Sequence, residues 1–156
     1  MKDYNGVKQY KDRVCYYLNS KLHRLNASAV EYKDGTKIWY KNGKRHRLDG
    51  PAEEYPNGAK FWFQNGMKHR IGGPAVELSN SDEFWYQNGK LHRIGGPACE
   101  YSGGDKEWYE NDKSHRLDGP AREFTNGYKE WWFEGEKIDC SSQEEFERLI
   151  KLKLFW

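Results

Sequence analysis

The five histidines of the chain, His23, His46, His69, His92 and His115, stand at one interval of 23 residues. A fixed period of this length marks a chain built from stacked copies of one supersecondary unit, and it restricts the fold more than any single motif can. Each His is followed by an arginine: Arg24, Arg47, Arg70, Arg93 and Arg116. A Gly-Pro-Ala step comes next, beginning at Gly50, Gly73, Gly96 and Gly119; the first repeat has Ala27, Ser28 and Ala29 there. Eight residues after each His is a glutamate, and sixteen after it a tryptophan: Trp39, Trp62, Trp85, Trp108 and Trp131. The register never slips.

Two turn signals recur in every unit. One series is Asp34-Gly35, Asn57-Gly58, Asn80-Ser81, Gly103-Gly104 and Asn126-Gly127. The other is Asn42-Gly43, Asn65-Gly66, Asn88-Gly89, Asn111-Asp112 and Glu134-Gly135. Such pairs suit two-residue hairpin turns with positive φ at both positions. Each repeat then reads as a hairpin: a strand of pattern P-A-x-E-Y-x, a turn, and a strand x-K-x-W-Y-x. The K-x-H-R-x-D-G segment is the connector, with pairing at a sheet edge left open.

Pairing outward from a two-residue turn at Asn57-Gly58 predicts Tyr55 opposite Lys60, Glu53 opposite Trp62, and Ala52 across from Phe63. One face would then carry a Tyr–Lys–Trp cluster, and the tryptophans would form a ladder with steps of about 10 Å, twice the strand spacing. The expected fold is all-β: a single elongated antiparallel β-meander of five hairpin repeats, at least nine strands in one twisted sheet about 45 Å long. Residues 1–20 read as a degenerate N-terminal half-repeat with Tyr16 and Tyr17 in the Trp-Tyr positions, and residues 21–137 as the repeats. Residues 141–154 read as a capping helix, begun by a Ser cap and an acidic first turn, with Phe146, Leu149 and Ile150 at helical spacing. The whole is expected to be one domain.

Composition agrees with a thin sheet. Hydrophobic residues make up 36%, charged residues 32%, and mean hydropathy is −1.14, values that alone lean toward disorder. Against this, 16% of residues are aromatic, so the large side chains are spread over a sheet. Lys plus Arg is 26 against 24 for Asp plus Glu, a net of +2, which argues against a duplex-DNA binder. No signal peptide and no apolar run approaching ~18 residues is visible, so no membrane span is expected. Three cysteines without metal-type spacing suit a reducing, cytoplasmic location.

A catalytic site requires one asymmetric cluster of acid, base and stabiliser. A residue present once in every unit is first explained by the unit, so the His-Arg pairs are read as structural, bonded to Glu or turn carbonyls. Histidines about 10 Å apart cannot share one metal. No phosphate-binding loop or nucleophile elbow is present. The expectation is a non-enzyme without cofactor or metal, in which the five tryptophans and the glycines Gly50, Gly73, Gly96 and Gly119 are structural; a stacking platform for bases or sugars is the alternative for the rings. Binding is sought where the repeats differ. Repeat three reads LSNSDE over 78–83 where its neighbours read Y-x-x-G-x-K, so it loses the Gly and replaces the Lys with Glu83; Asn80, Asp82 and Glu83 are the candidates at this break. The middle repeats have Ile-Gly-Gly where the flanking ones have Leu-Asp-Gly, which removes an Asp beside Arg70 and Arg93. Those two arginines, with His69 and His92, are the candidate ligand contacts, as unpaired guanidiniums free to take a carboxylate or phosphate.

The unit Y-x-x-G-x-K-x-W-Y-x-N-G-K-x-H-R-x-D-G-P-A resembles MORN-type repeats over roughly residues 10–150. It is still more similar to a divergent MORN-like group encoded by large bacteriophages and giant viruses, whose chains often end in a short E-E-F helix, as Glu144-Glu145-Phe146 does here. The resemblance implies an elongated antiparallel β-meander and, through the scaffolds, dimerising modules and antitoxin-like partners of MORN-like proteins, little about one activity. A long rigid repeat surface without a catalytic cluster suits a protein-binding module, and the phage resemblance makes it a factor that engages and inhibits a host protein such as a defence nuclease or effector in the host cytoplasm. The alternatives are a binder that sequesters a nucleotide or other small anionic ligand with Arg and aromatic rings of adjacent repeats, a scaffold or antitoxin-like partner, and a homodimer through an exposed sheet edge.

Overall fold

The structure, a computed structural model, describes residues 4–154. It is an antiparallel β-meander ending in one helix, and it divides into two compact units, one ending at Ser79 and the other beginning at Asn80.

The first unit holds β1 (Gly6–Gln9), β2 (Arg13–Leu18), β3 (Lys21–Leu22), β4 (Val30–Tyr32), β5 (Lys37–Ile38), β6 (Tyr40–Lys41), β7 (Lys44–Arg45), β8 (Glu53–Glu54), β9 (Lys60–Phe61), β10 (Phe63–Gln64), β11 (Met67–Lys68) and β12 (Val76–Glu77). Its main sheet runs in the order β1-β2-β4-β5-β8-β9-β12, with β3 on β2. The second unit holds β13 (Glu83–Phe84), β14 (Tyr86–Gln87), β15 (Lys90–Leu91), β16 (Cys99–Glu100), β17 (Lys106–Glu107), β18 (Tyr109–Glu110), β19 (Lys113–Ser114), β20 (Arg122–Glu123), β21 (Lys129–Phe133), β22 (Glu136–Ile138) and α1 (Gln143–Leu154). Its main sheet runs β13-β16-β17-β20-β21-β22.

Not every strand joins the main sheets, as the sequence had suggested. The pairs β6–β7, β10–β11, β14–β15 and β18–β19 form separate two-stranded ladders. The break falls at the tryptophan. Trp39 donates its N–H to the Ala52 carbonyl across the main sheet, while its own carbonyl accepts the His46 N–H of the following connector. The six-residue x-K-x-W-Y-x run therefore passes from the main sheet into a second hairpin, and it stays continuous only in the N-terminal half-repeat, as β2, and in the last repeat, as β21. Neighbouring second hairpins are still joined: Gly66 N–H donates to Arg45 O and Arg47 N–H to Phe63 O. The connector thus belongs to a hairpin of its own.

The two turns of a repeat are of different kinds. Asn42 and Gly43 have φ of 53° and 80°, and Asn65 and Gly66 have 53° and 87°, as a two-residue type I′ turn demands. At the other turn only the glycine is left-handed, Gly58 at φ 89°. Gly58 N–H bonds Tyr55 O and Tyr55 N–H bonds Ala59 O, each at 3.0 Å. That is a three-residue loop, a type I turn closed by a left-handed glycine. The extra residue shifts the register by one, so Glu53 pairs with Phe61 and Glu54 with Lys60. Glu53 opposite Trp62 is thereby overturned, and so is the Tyr–Lys–Trp face, because a one-residue shift exchanges the two faces of a strand.

The repeat alanines Ala29, Ala52, Ala75, Ala98 and Ala121 are all fully buried, which accounts for their small size. The tryptophans are not a uniform core: Trp131 is buried, whereas Trp39, Trp62, Trp85 and Trp108 are half-buried. Apolar packing gathers at the chain's ends. Cys15, Val30 and Ile38 cluster with Tyr17, Leu22, Tyr32 and Tyr40, and Trp131 and Phe133 pack on Phe146 and Ile150 of α1. The Ser142 hydroxyl accepts the Glu145 N–H, and the Glu145 carboxylate takes the Ser141 N–H, a reciprocal cap that starts the helix. Lys151 and Lys153 in its last turn suit the negative end of the dipole. The helix covers the last repeat as the sequence implied.

Candidate functional site: the connector row

Each arginine of the His-Arg pairs is held on four sides. Its guanidinium lies over the aromatic ring eight residues earlier: Arg47 over Trp39, Arg70 over Trp62, Arg93 over Trp85 and Arg116 over Trp108, at 3.8–4.1 Å to the centroid. In the first repeat Tyr16 takes the ring's place, 3.8 Å from Arg24. Nη1 donates to the glutamate seven residues later at 2.5–2.8 Å and to the carbonyl four residues later, as Arg70 does to Pro74 at 2.9 Å. The fourth side is the glycine of the Gly-Pro step. A Cβ at Gly73 would stand 2.9 Å from the Arg70 Cζ, and one at Gly119 2.7 Å from that of Arg116. Ala27 fills this place in the first repeat, and Arg24 keeps both its bonds there, so a flexible guanidinium can yield to one methyl group.

Arg70 and Arg93 are therefore not unpaired. Arg70 bonds Glu77 and Arg93 bonds Glu100, and the premise that had marked them out fails. What they lack is a second carboxylate. Arg47 and Arg116 also bond Asp49 and Asp118 through Nε at 3.1 and 2.8 Å, and those guanidinium bonds hold both aspartates below the usual carboxylate range. At the corresponding places the middle repeats have Gly72 and Gly95.

The histidines work between repeats. Nδ1 of His46, His92 and His115 accepts the backbone N–H of the residue opening the next type I′ turn, Asn65, Asn111 and Glu134, at 3.1–3.3 Å, while His23 Nδ1 meets the Asn42 N–H at 3.2 Å and the Asn42 side-chain Oδ1 at 2.8 Å. In the first three the partner is a turn amide, neither a Glu nor a carbonyl, and an accepting Nδ1 places the ring proton on Nε2. His69 donates its backbone N–H to Trp62 O.

The irregular residues of repeat three are also built in. Asp82 accepts the backbone N–H of Ser102 at 2.7 Å and the side-chain amide of Asn80 at 2.9 Å, and these bonds lower its pKa. Asp105 does the same for Thr125 N–H, so this aspartate ties one turn to the next. Glu83 pairs with Glu100 in the β13–β16 ladder.

One feature of the connectors was not singled out from sequence. The residue after each His-Arg is aliphatic and protrudes: Leu25 is 76% exposed, Leu48 74%, Ile71 81% and Ile94 80%, with Leu117 at 56%. Single exposed leucines are ordinary; here the same position is aliphatic and exposed in every repeat. In the first unit Leu25 and Leu48 border one cleft of about 330 Å³ with Arg24, Trp39, Lys41 and Arg47. In the second, Leu117 borders a corresponding cleft of about 350 Å³ with Arg93, Trp108 and Arg116. The signal was present as H-R-[LI] in all five copies, aliphatic in an otherwise polar segment.

The opposite strand face of the second unit carries a polar network. Arg122 lies 3.7 Å from both Glu107 and Glu130 and stacks on Trp132. Glu107 accepts from the Tyr109 hydroxyl, and Glu130 accepts from Lys137 and the Trp132 ring. The Lys137 bond lowers the Glu130 pKa, while burial and the neighbouring Glu107 raise those of Tyr101 and Tyr109. Its acids and bases answer one another.

Among the described residues no group of three or more His, Cys, Asp or Glu is placed to hold a metal ion. No described helix is long and apolar enough to cross a membrane. The fold and this row define an all-β repeat protein with a periodic, partly apolar edge. No protein-family model matches the chain, and no curated protein is significantly similar to it.

Proposed function

We propose that the chain is a non-catalytic protein-binding repeat module whose contact surface is the connector row. One observation carries this reading. In each repeat an arginine held by a ring, a glutamate and a carbonyl is followed directly by one of the most exposed apolar residues of the molecule. An apolar side chain on a rigid base loses little entropy when a partner covers it. The similarity to repeats of large phages makes a host protein the expected partner, and inhibition of a defence nuclease or effector the expected consequence.

A second reading, sequestration of a nucleotide-like anion, draws on the cleft beside Arg24, Trp39, His46 and Arg47. It is the weaker, because those guanidiniums would have to leave Glu31 and Glu54. The test is affinity capture from host-cell lysate with the full chain and with the Leu48→Asp/Ile71→Asp variant, beside calorimetric titration of mono- and dinucleotides. One stoichiometric protein captured by the parent and lost in the variant supports the module. Micromolar nucleotide binding with no such protein would replace it by the second reading.

A further inference from the structure

We infer that the chain self-associates through its hairpin tips, the basic tip of β6–β7 in one copy meeting the acidic tips of β18–β19 and β21–β22 in another. This goes beyond the host-protein reading and stands without it.

The net charge of +2 hides an uneven distribution. Residues 1–79 carry fifteen Lys and Arg against eight Asp and Glu, and residues 80–156 carry eleven against sixteen. Among the described residues of the first unit, nine basic side chains are exposed and only three acidic ones. Its glutamates are engaged: Glu31, Glu54 and Glu77 by the stapled arginines, and Glu53 by Arg45.

The surplus gathers at one tip. Lys41 and Lys44 stand directly opposite each other on either side of the Asn42-Gly43 turn. Lys21 lies against the same turn, its side-chain carbons 3.6–3.8 Å from where a Cβ on Gly43 would be. Among the described residues none of these three lysines bonds a carboxylate, and Asp49 on the following connector is taken by Arg47. Like charges placed opposite one another destabilise a hairpin. The same two positions are Gln64 and Met67 in β10–β11, Gln87 and Lys90 in β14–β15, and Glu110 and Lys113 in β18–β19. Among these ladders, β6–β7 alone sets two cations there.

The tips of the second unit are the complement. Glu110 and Glu134 border one cleft of about 200 Å³ with Asn111, Lys113 and His115, and among the described residues neither carboxylate bonds a cation. Asp112, in the turn of β18–β19, is exposed as well. These three carboxylates outnumber Lys113. Glu134 holds φ of 48° where four repeats have Asn, the residue better suited to a left-handed conformation. Each tip thus keeps a charge at the expense of local stability, Lys41 through repulsion and Glu134 through strain. A residue choice that opposes its own turn is expected where it serves a contact.

A second copy of the chain brings both the opposite charge and the same step. Equivalent tips recur every two strands, about 9.6 Å. Lys21 and Lys44 fall on neighbouring tips, as do Glu110 and Glu134, so unlike charges can be matched two at a time. A nucleic-acid strand or an acidic peptide would meet the lysines and gain nothing from Glu110 and Glu134. Exposed ion pairs are individually weak and are screened by salt, so the association is weak and salt-dependent.

Sedimentation equilibrium of the full chain at roughly 0.1 mM tests this. It is run in about 0.025 M and about 0.5 M NaCl, between which the Debye length falls from roughly 20 Å to roughly 4 Å. The weight-average mass should exceed the 18.5 kDa of one chain at the lower salt and return to it at the higher. Lys21→Glu/Lys41→Glu and Glu110→Lys/Glu134→Lys should each weaken self-association at least about tenfold. Mixing the two variants in equal amounts should restore it, because one then carries acids at both tips and the other cations. Melting curves accompany each variant. If Glu110→Lys/Glu134→Lys does not fold, Glu110→Gln/Glu134→Asn takes its place and should also lose association. A parent that stays monomeric at the lower salt overturns the inference. So does association that neither salt nor charge reversal changes, or a mixture of the folded charge-reversed variants that fails to associate. A parent that associates but captures no host protein would end the host-protein reading alone.

Discussion

The guanidinium of Arg70 lies 3.8 Å from the ring centroid of Trp62, with Glu77 at 2.7 Å and the Pro74 carbonyl at 2.9 Å on the same Nη1. The arginine links three segments of its repeat: the end of a strand, the Gly-Pro step and the next strand. Removing it strips a cation–π contact and leaves a carboxylate and a carbonyl without their donor. Arg70→Ala is expected to cost about 1–3 kcal/mol, and Arg47→Ala at least as much, since Asp49 also loses its partner. Arg70→Lys should recover only part, because an ammonium cannot lie flat on the ring while reaching both acceptors. Chemical denaturation of the three variants checks this ordering.

Glu134 has φ of 48° at the first position of a type I′ turn where four other repeats have Asn. A left-handed conformation strains Glu more than Asn, and the N–H that Glu134 gives to His115 Nδ1 comes from the backbone. Glu134→Asn should therefore stabilise the protein by about 0.5–1 kcal/mol. A raised melting midpoint checks this.

Asp49 and Asp118 are held below their ordinary value of 3.8 by the arginines they bond. A carboxylate depressed in the folded state contributes stability that is full above its unfolded value and is lost as pH falls through the folded one. Stability should thus decline on acidification below about pH 4, and the double variant Asp49→Asn/Asp118→Asn should show a shallower decline. Denaturation midpoints between pH 2 and 7 would show it.

The Cys99 thiol is 3% exposed and burial pushes its pKa up to about 12, while Cys15 is buried and Cys140 only partly so. Iodoacetamide at pH 8 should modify Cys140 first and leave Cys99 untouched until unfolding, because the thiolate is the reactive form. Mass spectrometry of the time course reads the order.

The repeat, the all-β class, the capping helix and Tyr16 in the tryptophan's place were legible in the sequence because each rests on a periodic or local signal. The register was not. Asn57-Gly58 and Asn65-Gly66 are the same dipeptide, yet one closes a three-residue loop and the other a two-residue turn; the proline at position 56 favours the type I turn. The ladder of half-buried tryptophans was read as core because rings usually are, and only the geometry shows Arg47, Arg70, Arg93 and Arg116 on their faces. Among the candidate contacts, Arg70 and Arg93 were chosen for a missing aspartate, whereas Glu77 and Glu100, seven residues on, already supply the carboxylate. The protruding Leu25, Leu48 and Ile71 went unnoticed because connectors are commonly treated as spacers.

The central claim is that two adjacent residues, Arg70 and Ile71, divide the work of folding and binding. Measuring melting temperature and partner affinity for Arg70→Ala and Ile71→Asp side by side tests it most directly. The account predicts that Arg70→Ala lowers the melting temperature while its folded fraction still binds, and that Ile71→Asp melts like the parent but binds at least about tenfold more weakly. Equal stability in both variants, or full binding by Ile71→Asp, would contradict it.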